Sequence, residues 1–385
     1  MNPTYLDCNA TTPIENEVRE VLLRYVSDEY GNEGSRTHEY GARAKQAVQR
    51  ARDQVAAVAS CKRDEVIFTS GATESNNLAI LGLREHGVAT GRKHVITSAI
   101  EHKSVLEPFD ELERLGFDVT RLTVSAGGYV AAESVARAVR PDTLLVSVMQ
   151  VNNETGIRQP LDAICEALAD HPAYLHTDAA QGFGKDLLPL RNMRVDMVSV
   201  SGHKIYAPKG VGALVIRRRG YERIPLRPLV FGGGQERGLR PGTLPVALIV
   251  ALGTAAEVAL RDNERRIAAC AKTRTEAIKA LSSLSPRYSG DQALVVPHVL
   301  NVAFKGFDSE ALIVAMKDLI AISNGSACTS SSYTPSHVLK AMGMNDNEAN
   351  ACIRISWSHL TPAADWEAVA ARLRSLVWAS PIDQI

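Results

Sequence analysis

The chain has 385 residues, of which 45% are hydrophobic and 22% charged, so it is a globular protein long enough for a large domain and a smaller one. Its formal net charge is zero, which disfavours direct binding of nucleic acid. No apolar run could span a bilayer, the start lacks a basic and apolar leader, and the six cysteines lack metal-type spacing. We therefore expect a cytoplasmic protein with no membrane partner and no metal.

The first half of the chain alternates predicted helices with short apolar runs. A strand near Tyr5 leads to a helix that we expect to begin near Pro13, and apolar residues recur at helical spacing from Ala44 onward. Continuous apolar runs then follow at 66–69, 94–97, 143–148 and 195–199. Such runs are typical of strands buried on both faces of a parallel sheet, so the sequence predicts an α/β fold. We interpret the arginines at 217–219 as a solvated cluster after a strand.

Polar residues follow the predicted strands, on the edge where open α/β sheets bind ligands. After the first run, small residues at 69–77 would let backbone N–H groups cradle a phosphate, with a plain helix cap at Thr73 as the alternative. His102 follows the second run, although a single histidine is more often structural. Asn153 follows the third, and Asp178 after it could either pair with a pyridinium nitrogen or cap a helix.

Lys204 ends a tight polar turn that follows the fourth run directly. A lysine forms a Schiff base with an aldehyde once its amine is deprotonated, whereas a surface lysine in a glycine-rich loop is the alternative. Four features thus follow successive strand ends: an anion cradle, an amide, an acid and a lysine. Together they predict a site for pyridoxal phosphate.

Seven stretches resemble the cysteine desulfurase family, and they occur in the family's order along nearly the whole chain. They lie at 68–77, 101–103, 151–154, 176–181, 201–204, 232–240 and 325–330. The resemblance implies a fold type I pyridoxal-phosphate enzyme with a mostly parallel sheet in a large domain, at 13–258. A smaller α+β domain would follow at 259–385, with residues 1–12 packed nearby. The resemblance also implies a homodimer that takes sulfur from L-cysteine and leaves L-alanine.

The resemblance further assigns roles around the cofactor. Lys204 would hold its aldehyde, Asp178 would face the pyridine nitrogen, and Gln181 would bond the phenolic oxygen. His102 would stack on the ring, and Asn153 would contact both cofactor and substrate. Lys204 would also take the α proton of the substrate, with His102 as a second candidate for proton transfer.

Two further groups of residues would bind the phosphate and the substrate. The phosphate would be met by Ala72, Thr73, Ser201 and His203, and by Thr243 from the other subunit. Arg354 would grip the substrate carboxylate, a role that suits its planar fork, whereas without the family it would be interpreted as a strand-edge arginine. The pair 361–362 is predicted to cap the final helix.

Cys328 lies in a polar segment of small residues at 323–335. A structural cysteine normally packs among apolar side chains, so we interpret Cys328 as an exposed, mobile thiol. Its thiolate would attack the substrate sulfur, become a persulfide, and deliver sulfur to an acceptor protein. The length of the segment resembles the long-loop desulfurases.

The identity of the sulfur acceptor stays open at this point. The stretch 34–41 resembles desulfurases linked to DNA phosphorothioation, while iron-sulfur cluster assembly and tRNA thiolation are alternatives. Two other functions are alternatives: a selenocysteine lyase or aminotransferase of the same fold, and a non-enzymatic scaffold for sulfur-handling partners. Cys328 argues against the first, and an intact pair of Lys204 and Asp178 argues against the second.

Overall fold

The computed structural model describes residues 3–325 and 335–377. The strands are β1 (Thr4–Tyr5), β2 (Val66–Thr69), β3 (His94–Ser98), β4 (Asp118–Leu122), β5 (Thr143–Ser147), β6 (Tyr174–Asp178), β7 (Met197–Ser201), β8 (Gly212–Ile216), β9 (Arg287–Tyr288), β10 (Val299–Ala303), β11 (Ile320–Ala321) and β12 (Cys352–Ser356). The helices are α1 (Asn16–Ser27), α2 (Glu39–Ala59), α3 (Ala72–Leu81), α4 (Arg84–Thr90), α5 (Lys103–Arg114), α6 (Ala132–Ala138), α7 (Leu161–Ala167), α8 (Val246–Arg261), α9 (Asn263–Leu281), α10 (Ser309–Met316), α11 (His337–Ala341), α12 (Asp346–Asn350) and α13 (Trp366–Val377).

A seven-stranded sheet in the order β2-β8-β7-β6-β5-β3-β4 forms the centre of the protein. Strand β8 is antiparallel to both of its neighbours, and the other pairings are parallel. Every residue of β2, β3, β5 and β7 is buried, as expected for strands covered on both faces. The predicted α/β fold with a mostly parallel sheet is confirmed.

Helices cover both faces of this sheet because successive residues of each strand point to opposite sides. Ile96 and Val146 pack in one core with α1, α2 and α8, whereas their neighbours Val95 and Leu145 pack in another with α3 and α5. The helical spacing noted from Ala44 onward belongs to α2, which begins five residues earlier because the imidazole of His38 caps it by accepting from Gly41 N at 3.2 Å.

A three-stranded antiparallel sheet, β12-β10-β9, lies in the C-terminal part of the chain and packs against α9 and α13. Strand β1 pairs in parallel with β11, which places the N-terminal segment beside this region. The division at residue 258 stays a prediction, and α8 continues past it to Arg261.

Several local predictions were wrong. The first helix begins at Asn16, and the fourth apolar run forms its strand two residues later than predicted, from Met197, where the pairing with β6 begins opposite His176. The final helix begins at Trp366, where the Asp365 carboxylate accepts from Ala368 N at 2.9 Å.

The interpretation of 217–219 as a solvated cluster was also wrong. Arg217 is 1% exposed and donates to the backbone carbonyls of Ala59, Leu190 and Val195 at 2.5 to 2.6 Å. Arg217 therefore connects α2 to the loops beside the sheet, because its N–H groups bind backbone carbonyls that have no hydrogen-bond partner within a strand or helix.

Candidate active site

A cavity of about 1210 Å³ opens at the carboxyl ends of β2, β3, β5, β6 and β7. Among the residues that line it are Ala72, Thr73, His102, Asn153, Asp178, Gln181, Ser201, His203, Lys204 and Arg354. Residues predicted from five strand ends and from the C-terminal sheet therefore share one cavity.

Lys204 closes the 3₁₀ turn that follows β7. Its amine donates hydrogen bonds to the carbonyl oxygens of Asn9 and, at 2.8 Å, of Ala10. Further along the same segment, the hydroxyl of Thr12 donates to the carbonyl of His203 at 2.9 Å. The N-terminal segment thus holds the Lys204 turn at the cavity wall, and the alternative of a surface lysine is wrong.

Asp178 ends β6 and accepts two hydrogen bonds. Its Oδ1 accepts from the backbone N of Ala180 at 2.9 Å, and its Oδ2 accepts from Nδ2 of Asn76 at 2.8 Å. The Asn76 amide also donates to Oγ of Ser104 at 2.9 Å, and that hydroxyl lies 2.8 Å from Nδ1 of His102. A buried polar chain therefore fixes the carboxylate and the imidazole relative to each other.

Two histidines in the cavity are held neutral by their surroundings. Burial lowers the pKa of His102, which the Asp178 carboxylate partly offsets and the nearby Lys204 amine reinforces. Burial also lowers the pKa of His203 to about 4, and the charges of Lys204 and Lys209 add to this effect. Both rings are therefore neutral near neutral pH, and each has one nitrogen that donates and one that accepts a hydrogen bond.

Helix α3 presents its N-terminus to the cavity. Its N-cap is Gly71, which has no side chain to cap the helix, so the alternative of a cap at Thr73 is wrong. The first N–H groups of a helix have no partner within it, and here they are left for an acceptor supplied by a ligand. A Cβ built on Gly71 would lie 3.9 Å from Oγ of Ser201, so the helix start and the Lys204 turn face each other closely.

Arg354 lies on β12 and is 1% exposed. Its Nη1 donates to the backbone carbonyl of Asn153 at 3.0 Å, and its Nη2 donates to Oδ1 of Asp7 at 2.6 Å and to Oγ of Ser323 at 3.0 Å. Its Nε is buried with no partner among the described residues. The guanidinium is thus oriented by the protein and retains donor capacity toward the cavity that it lines.

Gln181 donates from Nε2 to the carbonyl of Asn9 at 2.9 Å, and its Oε1 is buried with no partner in the described part of the chain. Oδ1 of Asn9 is buried and, within the same residues, unpaired as well. Unsatisfied buried polar atoms are costly, so these two amides fit a polar group that a ligand would bring.

Two predicted site residues are not placed in this cavity. Cys328 lies outside the described residues; on either side of that gap, Gly325 and Ser336 line the cavity, and Oγ of Ser336 donates to Oε2 of Glu154 at 2.5 Å. Thr243 is exposed and does not line it. Its position in the site of a second subunit stays a prediction.

Four residues that shape the site were not predicted from the sequence: Asp7, Asn9, Ala10 and Asn76. Asn76 falls within the stretch 69–77, and its position one turn into α3 was a usable signal for a second polar contact. The backbone carbonyls of Asn9 and Ala10 leave no signal in the sequence, because any residue supplies one.

The residues that are present fit pyridoxal phosphate. An amine suits its aldehyde, an uncapped helix N-terminus suits its phosphate, and a carboxylate held by hydrogen bonds suits a protonated pyridine nitrogen. Within residues 3–325 and 335–377, no group of His, Cys, Asp and Glu side chains could hold a metal ion, and no helix is long and apolar enough to cross a membrane.

Comparisons with known proteins agree with this chemistry. The family model for aminotransferase class-V matches residues 4–369. The cysteine desulfurase of Homo sapiens is 44% identical over 363 residues, which cover 94% of this chain and 79% of that protein. Cysteine desulfurase IscS of Neisseria meningitidis serogroup C (strain 053442) is 42% identical over 376 residues, covering 97% of this chain and 92% of that protein.

Two solved structures are similar over most of this chain. DndA from Streptomyces lividans is 51% identical, with a TM-score of 0.81, and the match covers 92% of this chain and 99% of that one. SspA, in complex with cysteine, is 38% identical, with a TM-score of 0.82, and the match covers 93% of this chain and 100% of that one.

The fold and the cavity define a pyridoxal-phosphate enzyme of fold type I, as the sequence predicted. The chain belongs to the class-V aminotransferase family and, within it, to the cysteine desulfurases, pyridoxal-phosphate-dependent enzymes that act in sulfur transfer.

Proposed function

We propose that the sulfur of L-cysteine passes to Cys328 as a persulfide, at a cofactor site built on Lys204 and Asp178. The observation that carries this proposal is that all of these groups share one cavity. Lys204, Asp178, the start of α3 and Arg354 line it. Gly325 and residues 335–337, on either side of the segment that contains Cys328, line it as well. The complex of SspA with cysteine, in a similar fold, supports cysteine as the ligand of this cavity.

The cofactor would be held by residues from several strand ends. Lys204 would bind its aldehyde, Asp178 its pyridine nitrogen and Gln181 its phenolic oxygen, and His102 would lie against the ring. The phosphate would be held by Ala72, Thr73, Ser201 and His203. When bound, the cofactor supplies an electron sink that stabilises negative charge at the substrate Cα.

The chain's own groups would then perform the transfer. Arg354 would bind the substrate carboxylate, with Asn153 beside it, and the amine of Lys204 would take the proton from Cα. His102, neutral because burial lowers its pKa, would be the second proton carrier. The Cys328 thiolate would attack the substrate sulfur: a sulfur–sulfur bond forms, the carbon–sulfur bond breaks, and its electron pair stays with the carbon skeleton, which leaves as alanine after protonation.

We also propose that the enzyme is a homodimer in which Thr243 completes the partner's phosphate site. Thr243 is exposed on the chain itself, and the apolar side chains of Leu229, Val230 and Phe231, 12 to 14 residues earlier, are 41%, 61% and 84% exposed. Exposed apolar residues of this kind are typical of interfaces. Sedimentation should give a dimer for the wild type and a monomer for Phe231→Glu, whereas a wild-type monomer would contradict the proposal.

For the sulfur acceptor, we propose the DNA phosphorothioation pathway, in the cytoplasm, ahead of iron-sulfur assembly and tRNA thiolation. The stretch 34–41 resembles desulfurases of that pathway, and DndA is more similar in sequence to this chain than IscS of Neisseria meningitidis is. Deleting the gene in its host should abolish sulfur in DNA while leaving thiolated tRNA unchanged. Loss of thiolated tRNA, with DNA sulfur intact, would assign the enzyme to another pathway.

The assignment of Lys204 can be tested with the purified enzyme. Under anaerobic conditions with a reductant, the wild type should release sulfide and alanine from L-cysteine, and borohydride should fix the cofactor covalently to the chain. Lys204→Ala should lose both properties, while Lys279→Ala, a change at an exposed position of α9, should keep them. A colourless wild type would favour the scaffold, and transfer from L-alanine to a keto acid would favour the aminotransferase.

A further inference from the structure

A second cavity, of about 20 Å³, is lined by residues that take no part in the large one. Its lining includes Lys185, in the turn after β6, and Tyr206. Arg266 and Cys270, both on α9, and His298, just before β10, line it as well. A space of about 10 to 15 Å³ on this measure is enough for one water molecule, so this cavity has room for a single species of that size.

The lining of this small cavity is basic. Arg158, Lys185 and Arg266 line it, and none of the carboxylates in residues 3–325 and 335–377 does. Arg158 is paired with Asp186 at 3.5 Å, and Arg266 with Glu15 at 2.6 Å, both outside the lining. Lys185 makes no ion pair with any residue in the described part of the chain. One positive charge at the cavity is therefore unbalanced.

Two residues that line the small cavity have nitrogens without hydrogen-bond partners among the described residues. Arg266 is 6% exposed, and its Nε and Nη1 are buried N–H donors of this kind. His298 is 5% exposed, and its Nε2 is also buried and unpartnered there. The Arg266 guanidinium lies over the ring of Tyr206, 5.0 Å from its centroid, so packing fixes it in place. Buried N–H groups without an acceptor are costly, which means that an acceptor in the cavity would stabilise the fold.

A single anion satisfies both requirements better than water. A water molecule accepts only two hydrogen bonds and cannot balance a charge, whereas a monoatomic anion accepts from several directions and carries the missing charge. Burial lowers the pKa of Lys185 to about 8, as expected for an ammonium group without an anionic partner nearby, and a bound anion would raise it again. Polyatomic oxyanions are too large for the cavity.

We propose that this cavity, lined by Lys185, Arg266 and His298, binds one halide-sized monovalent anion, chloride under ordinary conditions. The anion would link α9 and the segment before β10 to Tyr206, two residues beyond Lys204. It would therefore stabilise the contact between the C-terminal part of the chain and the turn that carries Lys204. The site is independent of the sulfur chemistry and makes no use of Cys328.

Bromide tests the site directly, because its anomalous scattering distinguishes it from water. Crystals of the holoenzyme grown with bromide in place of chloride should show an anomalous peak in the cavity beside Lys185 and Arg266. Density that carries no anomalous signal would mean that the cavity holds water only, and the proposal would be wrong.

Thermal unfolding gives a second, independent test in solution. At equal ionic strength, the melting temperature of the wild type should be about 3 °C higher in chloride than in gluconate, because a ligand that binds only the folded state stabilises it. Lys185→Met, which removes the charge but keeps a similar length, should lose this difference, and Lys279→Met should retain it. An equal response of wild type and Lys185→Met to chloride would contradict the assignment; if Lys185→Met does not fold, the bromide crystals still decide.

Discussion

The carboxylate of Asp7 accepts a hydrogen bond from Nη2 of Arg354 at 2.6 Å, across 347 positions of sequence. The contact joins the segment after β1 to the buried strand β12 and orients the guanidinium from one side. The carbonyl of Asn153 orients it from the other side at 3.0 Å. A buried arginine that is fixed in this way presents its remaining N–H groups to a substrate in one geometry.

Replacing Arg354 with lysine should therefore weaken substrate binding more than turnover. A lysine keeps the charge but cannot form a bidentate pair with a carboxylate or hold both Asp7 and Asn153. We expect the KM for L-cysteine to rise about tenfold or more in Arg354→Lys, with a smaller change in kcat. The matched control is Arg372→Lys on α13, where the arginine pairs with Asp318 on the surface and no kinetic change is expected. An unchanged KM in Arg354→Lys would remove Arg354 from the substrate site.

Asp178→Asn tests the role of the carboxylate opposite the cofactor. The substitution keeps the size of the side chain and its contact with Ala180 N but removes the negative charge that would favour a protonated ring. We expect the variant to bind the cofactor and to lose kcat by about 100-fold, in line with the loss of one preorganised electrostatic contact. Asp170→Asn, at an exposed position, should match the wild type. Turnover within a few-fold of wild type would mean that Asp178 is only a cap.

The pH dependence of stability should report on Glu101. This carboxyl is fully buried, and burial raises its pKa to about 8, although Ser98 and the N–H of Met149 donate to it at 2.6 and 2.9 Å. Because its folded pKa is raised, the stability that Glu101 contributes is complete below its unfolded pKa and is lost as the pH rises toward 8. The loss is about 1.4 kcal/mol per pH unit over that window.

Glu101→Gln should abolish this part of the pH dependence. We expect the urea midpoint of the holoenzyme variant minus that of the wild type to increase between about pH 5 and about pH 8. At higher pH this difference should stay constant. Glu166→Gln, at an exposed position of α7, should follow the wild-type curve. Parallel curves for wild type and Glu101→Gln would show that Glu101 titrates normally in the folded enzyme.

The polar residues after each apolar run were predictable because a parallel sheet brings its carboxyl ends to one edge. Lys204, Asp178 and His102 follow three different strands and line one cavity for that reason. Strands β2, β3, β5 and β7 were predictable because burial on both faces requires continuous apolar runs, which few other elements of that length show.

Other parts of the site could not be predicted because they depend on contacts between distant segments. The carbonyl of Asn9 lies 195 positions from Lys204, and a backbone carbonyl has the same chemistry in every residue. Arg217 illustrates the converse: its sequence neighbours suggest solvent, but the carbonyls that bury it come from Ala59 and Leu190, which only the tertiary structure brings together.

The most direct test of the account is to find where the sulfur goes. After anaerobic reaction with L-cysteine and alkylation, mass spectrometry of the wild type should locate a persulfide on the peptide that contains Cys328. Cys328→Ser should keep the bound cofactor, form no persulfide and stop releasing sulfide. Cys61→Ser is the control, because Cys61 is only partly buried whereas Cys8, Cys165, Cys270 and Cys352 are buried. A persulfide on another cysteine in Cys328→Ser, or equal sulfide release from both variants, would contradict the assignment of Cys328 as the sulfur carrier.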